Sequence, residues 1–350
     1  MSTLTVPAGS AADAGLRPVP WQRMAGVIWR QHRVALVGVV ALLGGLTVLL
    51  WIVGLQVHHA YAAATACHPA GSPACSEADL TFAGMDGFLS NGIILQPVPV
   101  LIGAFLGAPL LAREMETGTF RYAWTQGFGR SRWALAKLVS LAIAVTVPAW
   151  LFSLLLSWYY QPYFAPGNQS LGLTEYTPFF PGLYDLHGLA FAAWTLAAFA
   201  VGALAGMVIR RVVPAIAATI AIYAGLAFAV GTFLREHYLT PLVTTSLNLP
   251  GSAWILGQWW TKGGTVLSQA TMRHVIDSTF QPPTVNGPAG KMQAYDTVLK
   301  YLTRHGYTQW TKYQPGSRFW PFQWIESGWL LALSVLLIAA TIWLVRRRAV

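Results

Sequence analysis

The chain has 350 residues, of which 55% are hydrophobic and only 10% are charged. Soluble domains carry about 25% charged residues, so the composition excludes a soluble globular protein, and its hydrophobicity excludes a disordered one. The formal net charge is +10 at pH 7, but no nucleic-acid-binding motif accompanies it, so nucleic acid is not an expected partner. The two cysteines are too few for a disulfide scaffold or a cysteine-based metal site. The composition predicts an integral membrane protein.

The region before the first apolar stretch has two parts. Residues 1–17 are rich in Ala, Ser, Gly and Pro, which predicts a disordered tail. Residues 18–33 carry apolar side chains at helical spacing, with the arginines away from that stripe. The stripe consists of Trp21, Met24, Ala25 and Ile28. We predict an amphipathic helix on the inner membrane surface at 18–33; the alternative is an ordinary basic flank of the first span.

Six apolar stretches without Asp, Glu, Lys or Arg are long enough to cross a bilayer, which takes about 20 residues as a helix. They are 34–57, 88–111, 138–158, 188–209, 212–234 and 327–345. The predicted fold is therefore an all-α membrane protein with six transmembrane helices. The first five spans lie within residues 34–234. The sixth span and a basic carboxyl terminus lie within residues 326–350.

The distribution of Lys and Arg predicts the orientation of the chain. With both termini in the cytoplasm, the inner side carries 14 of the 22 Lys and Arg residues and three of the 12 acidic residues. The short outer loops 58–87 and 159–187 contain neither Lys nor Arg. We therefore predict a multi-pass protein with cytoplasmic termini. Its expected location is a bacterial plasma membrane. Anionic lipids of the inner leaflet are the expected partners of its basic face.

Two outer segments carry structural signals. Cys67 and Cys75 lie in the first outer loop, where a disulfide can persist, and we predict that they form a structural one. The segment 235–325 is an extracytoplasmic cap, rich in aromatic residues that we assign to its core rather than to a substrate site. Within it, the stretch 242–260 is apolar but interrupted by Pro250. The sequence leaves open whether this stretch enters the membrane as a re-entrant segment.

The second span contains three prolines, which free backbone carbonyls and favour a helix packed inside the bundle, often near a pathway. Small-residue motifs, Gly103-x-x-x-Gly107 and Gly202-x-x-x-Gly206, permit close helix contact. They could form a dimer seam or pack within the subunit. Phosphate-binding loops, zinc-protease motifs and nucleophile elbows do not occur. Because the predicted spans also lack ionisable groups, the energy for any transport must come from outside the chain.

The loop 112–137 between the second and third spans is the most informative segment. It is dense in polar residues and holds both cytoplasmic-loop carboxylates, Glu114 and Glu116. Gly118 is expected to end the helix that emerges from the second span, and Thr119 to cap the next helical segment. The loop therefore predicts a short helix at the inner surface, through which a cytoplasmic partner can push on two spans.

The loop also carries a motif, made of Glu116, Gly118, Thr119, Arg130, Ser131, Arg132 and Lys137. This motif resembles the first cytoplasmic loop of ATP-binding-cassette (ABC) transporter permeases of the type-2 exporter class. Six spans, cytoplasmic termini and a surface helix before the first span agree with that class. The enlarged outer segment between the fifth and sixth spans is similar to that of the G-type exporters.

The resemblance implies a permease subunit without enzymatic activity of its own, in a dimer with a second copy or a homologue. Separate cytoplasmic ATP-binding subunits would hold ATP and Mg, with no cofactor or metal in this chain. The residues expected to couple to the ATPase are Glu114, Glu116, Gly118, Thr119, Arg121, Arg130 and Arg132. The candidates for lining a substrate path between subunits are Asn91, Gln96, Phe105, Tyr223 and Phe228. The expected activity is efflux of an apolar or amphipathic cargo such as a drug, antibiotic or lipid.

Two alternatives belong to other classes. The chain could be a membrane enzyme that acts on a lipid or cell-wall precursor, with Asp277, Asp296 and Glu326 as candidate acids. It could also be a non-transporting sensor that binds an ABC ATPase. An enzyme should tolerate the change Glu116→Ala and fail on loss of an outer acid, whereas a transporter should do the reverse.

Overall fold

The computed structural model describes residues 21–68, 72–85, 92–118, 130–165, 177–247, 249–279 and 297–347. Within these ranges, six helices are long and apolar enough to cross a membrane. They confirm the predicted class, an all-α membrane protein with six spans. The predicted tail at 1–17 lies outside the described residues.

The helices are α1 Trp21–Ala66, α2 Pro73–Gly84, α3 Val98–Ile102, α4 Ala108–Thr117, α5 Arg130–Tyr160, α6 Ala190–Ile209, α7 Val212–Ala229, α8 Gln269–Thr279, α9 297–304 and α10 Phe319–Arg347. A π-helical turn, Gly103–Gly107, joins α3 to α4, and the three together form the second span. The first, third, fourth, fifth and sixth spans are α1, α5, α6, α7 and α10. The fifth continues beyond α7 through a π turn, Val230–Leu234, and a 3-10 turn, Arg235–His237.

The first helix differs from its prediction. Instead of a separate surface helix at 18–33, the described residues from Trp21 onwards form one unbroken helix of 46 residues. At 1.5 Å per residue this helix is about 69 Å long, more than twice a hydrocarbon core of about 30 Å. Met24 and Ile28, two residues of the predicted membrane-facing stripe, are buried against the protein itself. Protein packing therefore replaces at least part of the lipid contact expected for this stripe.

The second span begins later than its predicted start at 88. Residues 93–97 form turns, and helix α3 begins only at Val98. Gly92 has a φ of +66°, and a Cβ there would lie 2.5 Å from the carbonyl oxygen of Gly182. The chain therefore enters the second span through a tight turn that lies against the turn preceding α6, at a position that requires glycine.

Helix α6 has the largest buried share of the six spans. Its glycines face the π turn and α4: a Cβ on Gly202 would collide with the carbonyl oxygen of Gly103, and one on Gly206 with that of Ala108. From the other side, a Cβ on Gly107 would lie 2.6 Å from the carbonyl oxygen of Phe199. The two glycine motifs thus pack against each other within one chain, which confirms the intrasubunit alternative.

The amino-terminal end of α6 is capped by another span. Gln323 of α10 accepts hydrogen bonds at Oε1 from the backbone N–H groups of Leu189 (3.0 Å) and Ala190 (2.9 Å). Its Nε2 donates to the carbonyl oxygen of Tyr184 at 3.2 Å. These bonds satisfy backbone donors that a helix terminus otherwise leaves unpaired, and they attach the sixth span to the start of the fourth.

The outer segment contains a four-stranded antiparallel sheet in the order β1-β4-β2-β3. The strands are β1 Leu242–Thr244, β2 Trp254–Lys262, β3 Thr265–Leu267 and β4 Tyr307–Gln314. The stretch 242–260, for which the sequence left a re-entrant piece open, contains β1 and most of β2. Phe179 joins the sheet to the outer end of α10. Its ring stacks on Trp254 of β2 at a centroid distance of 5.6 Å and contacts Phe322 of α10 at 5.3 Å.

The first outer loop contains the short helix α2. Cys67 and Cys75 are joined by a disulfide across a sequence separation of eight. Ser72 caps α2 by accepting a hydrogen bond from the Cys75 N–H at 3.3 Å. Phe82, at the other end of α2, is fully buried and contacts Tyr61 of α1 at a centroid distance of 5.3 Å. The disulfide and this contact hold α2 against the end of the first span.

Candidate functional site

Helix α4 ends at the inner surface on the predicted motif. Gly118 adopts a left-handed conformation with φ of 72°, which favours glycine and ends the helix. Thr117, the last residue of the helix, donates from its hydroxyl to the carbonyl oxygen of Arg113, one turn earlier, at 2.8 Å. The last turn therefore presents Glu114 and Glu116 at the inner end of the second span.

Glu114 connects three spans. Its Oε1 lies 2.5 Å from Lys137 Nζ of α5, and it also accepts a hydrogen bond from Gln31 Nε2 of α1 at 3.5 Å. Lys137 donates in addition to the carbonyl oxygen of Leu110 at 3.2 Å. The Lys137 side chain is 1% exposed and that of Glu114 is 15% exposed. A charge as buried as Lys137 requires such a partner, so this ion pair holds the second and third spans together.

Glu116 reaches a different part of the bundle. Its Oε2 accepts a hydrogen bond from the Val212 N–H, the first residue of α7, at 3.1 Å. A carboxylate at this position satisfies an unpaired backbone donor and interacts favourably with the helix dipole. Arg210, just before α7, has a φ of 61°, which produces the sharp hairpin between α6 and α7. Glu116 therefore links the end of the second span to the start of the fifth.

The remaining predicted coupling residues are only partly described. Arg132 lies half-buried in the first turn of α5, where Arg130 begins the helix. Thr119, Arg121 and the side chain of Arg130 lie outside the described residues, as does the predicted short helix of the loop. The described part places both glutamates of the loop, Glu114 and Glu116, against neighbouring spans, which the sequence interpretation did not anticipate.

The four described candidates for a substrate path have three different surroundings. Gln96 Nε2 donates to the carbonyl oxygen of Gly182 at 3.0 Å. Tyr223 is buried against Trp194 at a centroid distance of 5.4 Å. Phe105 and Phe228 are 62% and 65% exposed. Asn91 lies outside the described residues. Tyr223 therefore packs inside the subunit, whereas the two phenylalanines are available to lipid, cargo or another subunit.

A buried polar cluster lies at the outer ends of the fifth and sixth spans. Arg235 donates from Nε (3.0 Å) and Nη2 (2.9 Å) to the two oxygens of Glu326, and also from Nη2 to Asp185. Glu326 accepts further bonds from Trp194 Nε1 at 2.9 Å and from the Tyr238 hydroxyl at 3.2 Å. Arg235 is 2% exposed and Glu326 is fully buried. This bidentate pair fixes the two span ends to each other.

The sequence interpretation missed this cluster because it ended the fifth span at 234 and began the sixth at 327. Helix α10 begins at Phe319, so Glu326 lies inside the sixth helix. Lys137 likewise lies inside α5, one residue before the predicted start of the third span at 138. Both charged residues therefore belong to helices that extend beyond the predicted spans. The available signal was an arginine directly after one apolar stretch and a glutamate directly before another.

The candidate acids of the enzyme alternative differ in exposure. Glu326 is held in the polar cluster and is inaccessible to solvent. Asp277 is exposed on helix α8 of the outer segment, and Asp296 lies outside the described residues. A fully buried carboxylate that is paired with arginine on both oxygens is not placed to exchange protons with a substrate.

The described residues form an apolar bundle of six candidate spans, in which Glu114 and Glu116 of one loop contact neighbouring helices. This architecture defines a polytopic membrane protein. Residues 34–235, more than half of the chain, match the family described as ABC-2 membrane transporter related, and the chain belongs to this family. Searches of curated proteins and of solved structures found no match. The family confirms the resemblance drawn from the loop motif. The protein is thus a multi-pass permease component of an ABC transporter, a class that works with an ATP-binding partner in a dimeric arrangement.

Proposed function

We propose that this chain is the permease subunit of an exporter that moves an apolar or amphipathic cargo outward across a bacterial plasma membrane. ATP would be hydrolysed, with Mg, by a separate cytoplasmic subunit that docks on the loop 112–137. Drugs, antibiotics and lipids are the cargo classes that fit the apolar lining of the spans. The chain itself contributes no catalytic residue to hydrolysis.

The observation that supports coupling is the pair of contacts made by the two loop glutamates. Glu114 joins the second span to Lys137 of the third, and Glu116 joins it to Val212 of the fifth. A displacement of the loop by an ATPase would therefore act on three spans together. Such a linkage is suited to a rigid-body transition between inward-open and outward-open states.

The exposed apolar surfaces support a dimer with the path between subunits. Helices α1, α7 and α10 are each buried over only about a fifth of their most apolar stretch. On and after α7, large side chains such as Val213, Phe228 and Phe233 are exposed. We place the second subunit against the fifth span and the cargo path between this span and its counterpart, with Phe228 as its described aromatic lining.

The test is to purify the tagged chain gently from its native membrane, identify the ATP-binding subunit that accompanies it, and reconstitute the complex in vesicles. Glu116→Ala and Gly118→Pro should leave insertion and the amount of protein unchanged. Both should uncouple ATP hydrolysis from efflux of an amphipathic dye, because the loop no longer moves the fifth span or no longer ends the helix correctly. Glu236→Ala, on the outer side, serves as the matched control.

Two results would contradict the proposal. The first is the reproducible absence of an ATP-binding protein from the intact, folded preparation. The second is normal coupled efflux by both loop variants. Coupled efflux by the Glu236→Ala control, together with its loss in the loop variants, would support the assignment of the loop.

A further inference from the structure

A polar cavity of about 550 Å³ opens at the inner end of the bundle. It lies between the beginning of α1, the end of the second span and the beginning of α5. Its polar lining comprises Gln31, His32, Arg113, Glu114, Thr117 and Lys137. The charge distribution of the sequence assigns this end to the cytoplasmic face.

The polar end of the cavity has an excess of positive charge. Glu114 is already paired with Lys137, so the exposed guanidinium of Arg113 remains to balance an incoming anion. His32 lines the same cavity, and its Nε2 is buried without a hydrogen-bond partner among the described residues. Buried polar atoms of folded proteins are normally paired. This nitrogen is therefore available to form a hydrogen bond with a ligand that enters the cavity.

The polar cavity continues into an apolar groove of about 340 Å³ between the first and second spans. Ala35, Phe105 and Leu106 line both spaces, so the two are contiguous. The groove contains no charged lining residue; its other walls are Gly38, Val39, Leu42, Leu101 and Ile102. A Cβ on Gly38 would meet nothing within 4 Å, so the missing side chain leaves open space in the groove wall.

The dimensions match half of a bilayer. From Arg113 to Leu101 the second span rises by about 18 Å at 1.5 Å per residue. One leaflet contributes about half of a hydrocarbon core of about 30 Å. The site therefore begins with positive charge at the inner surface and stays apolar to about the membrane midplane. A soluble anion would use only its polar end.

We propose that this combined site holds one anionic phospholipid of the inner leaflet. The phosphate lies between Arg113 and His32, and an acyl chain occupies the groove beside Gly38. Charge complementarity favours an anionic headgroup over a zwitterionic one, because Arg113 has no ion-pair partner among the described residues and only an anionic lipid brings a net negative charge to it. The lipid would lie beside Glu114, the residue that joins the first three spans.

The experiment is native mass spectrometry of the delipidated full-length protein, titrated with phosphatidylglycerol or with phosphatidylcholine of identical acyl chains. We expect one phosphatidylglycerol to bind at least about tenfold more tightly than phosphatidylcholine, a difference that corresponds to about 1.4 kcal/mol. Arg113→Gln should abolish that preference. Gly38→Leu, which fills the groove, should weaken binding of both lipids.

Matched controls separate the site from general effects. Arg346→Gln removes an inner-face arginine of α10, and Gly44→Leu adds the same side chain to α1 where a Cβ would also meet nothing within 4 Å. Both should bind like the unmodified protein. Thermal melting and gel filtration confirm that each variant is folded. Equal binding of the two lipids by the unmodified protein, or Gly38→Leu behaving like Gly44→Leu, would overturn the proposal.

Discussion

Among the described residues, the buried charges of Lys137, Arg235 and Glu326 are each compensated by a specific neighbour. Lys137 is almost completely buried and reaches both Glu114 and a backbone carbonyl. Removing one member of a buried ion pair leaves the other uncompensated and typically costs about 3–5 kcal/mol, whereas replacing both by apolar groups can be neutral. Lys137 thus acts as part of the packing between two spans, although the sequence shows it only as a lysine that begins an apolar stretch.

Loss of one partner should therefore be worse than loss of both. We expect Glu114→Gln to lower the Tm of the detergent-solubilised protein markedly, because the charge of Lys137 stays buried without its carboxylate. The double variant Glu114→Gln/Lys137→Met should recover most of that loss. Thermal unfolding followed by intrinsic fluorescence measures both. Additive losses in the double variant would mean that the two side chains do not interact.

His187 provides a pH-dependent contribution to stability. Its ring stacks on Phe319 with centroids 4.8 Å apart, and Nδ1 donates to the carbonyl oxygen of Leu183 at 2.6 Å. Burial lowers the pKa of His187 to about 4 from an ordinary value of 6.5. Between these values the unfolded chain binds a proton that the folded protein does not. The contribution of His187 therefore decreases as the pH falls from 6.5 towards 4.

The variant His187→Phe isolates this contribution. Relative to the variant, the unmodified protein should lose about 2 kcal/mol of unfolding free energy between pH 7 and pH 5, from 1.36 kcal/mol per pH unit below 6.5. Thermal melts of both proteins at a series of pH values measure the difference. If the two curves run parallel across this range, His187 has the same pKa in the folded and unfolded states and the assignment is wrong.

At the scale of elements, the crossing of α6 with the second span depends on glycines. Gly202 and Gly206 meet the backbone at Gly103 and Ala108, so the helices approach as closely as their main chains permit. In a membrane, such packing replaces the hydrophobic effect as the source of helix association. The motif spacing in the sequence identified the glycines, but not which helix they would meet.

Adding one methyl group at this crossing should be harmful. Gly206→Ala places a Cβ against the carbonyl oxygen of Ala108, and the helices must separate to accommodate it. We expect a loss of about 1–3 kcal/mol, the range for overpacked cores, and less folded protein in the membrane. Gly225→Ala on α7, where a Cβ would meet nothing within 4 Å, is the control. Fluorescence-detected gel filtration of both variants tests this, and equal yields would contradict the close crossing.

The elements that the sequence predicted well are those with a long apolar signal. The third to sixth predicted spans differ from the observed helices mainly at their ends. Apolar composition does not mark where a helix leaves the membrane. The start of the second span was misplaced, since the turns at 93–97 are as apolar as helix α3 itself. The outer sheet gave no usable signal: β2 pairs with β4 from Trp254–Gln314 to Lys262–Tyr307, about 50 residues apart in the chain.

At the scale of the whole molecule, the positions of Lys and Arg predict the orientation. The outer sheet and the disulfide lie on one side of the bundle, whereas the α4 terminus and the end of α10 lie on the side to which the charges assign the cytoplasm. The inner contacts of Glu114 and Glu116 have their functional meaning only in that orientation. A direct measurement of sidedness therefore tests the sequence argument independently of transport.

Cysteine accessibility provides that measurement. In a variant that lacks both native cysteines (Cys67→Ser and Cys75→Ser), Arg304→Cys on the outer segment should react with a membrane-impermeant maleimide in intact cells. Arg346→Cys at the end of α10 should react only after permeabilisation. Both arginines are exposed, so lack of reaction reports sidedness rather than burial. The reverse labelling pattern would show that the chain has the opposite orientation in the membrane.

The cap that Gln323 provides for α6 also has a consequence for biosynthesis. The amides of Leu189 and Ala190 leave the ribosome more than 130 residues before Gln323, their partner in the finished protein. Until then the fourth span, which becomes the most buried of the six, lacks this partner for its amino-terminal turn. Assembly of the bundle therefore cannot be completed in the order of synthesis. A chain released before Phe319 lacks both the cap and Glu326, and it should be recognised by membrane quality control as unfinished.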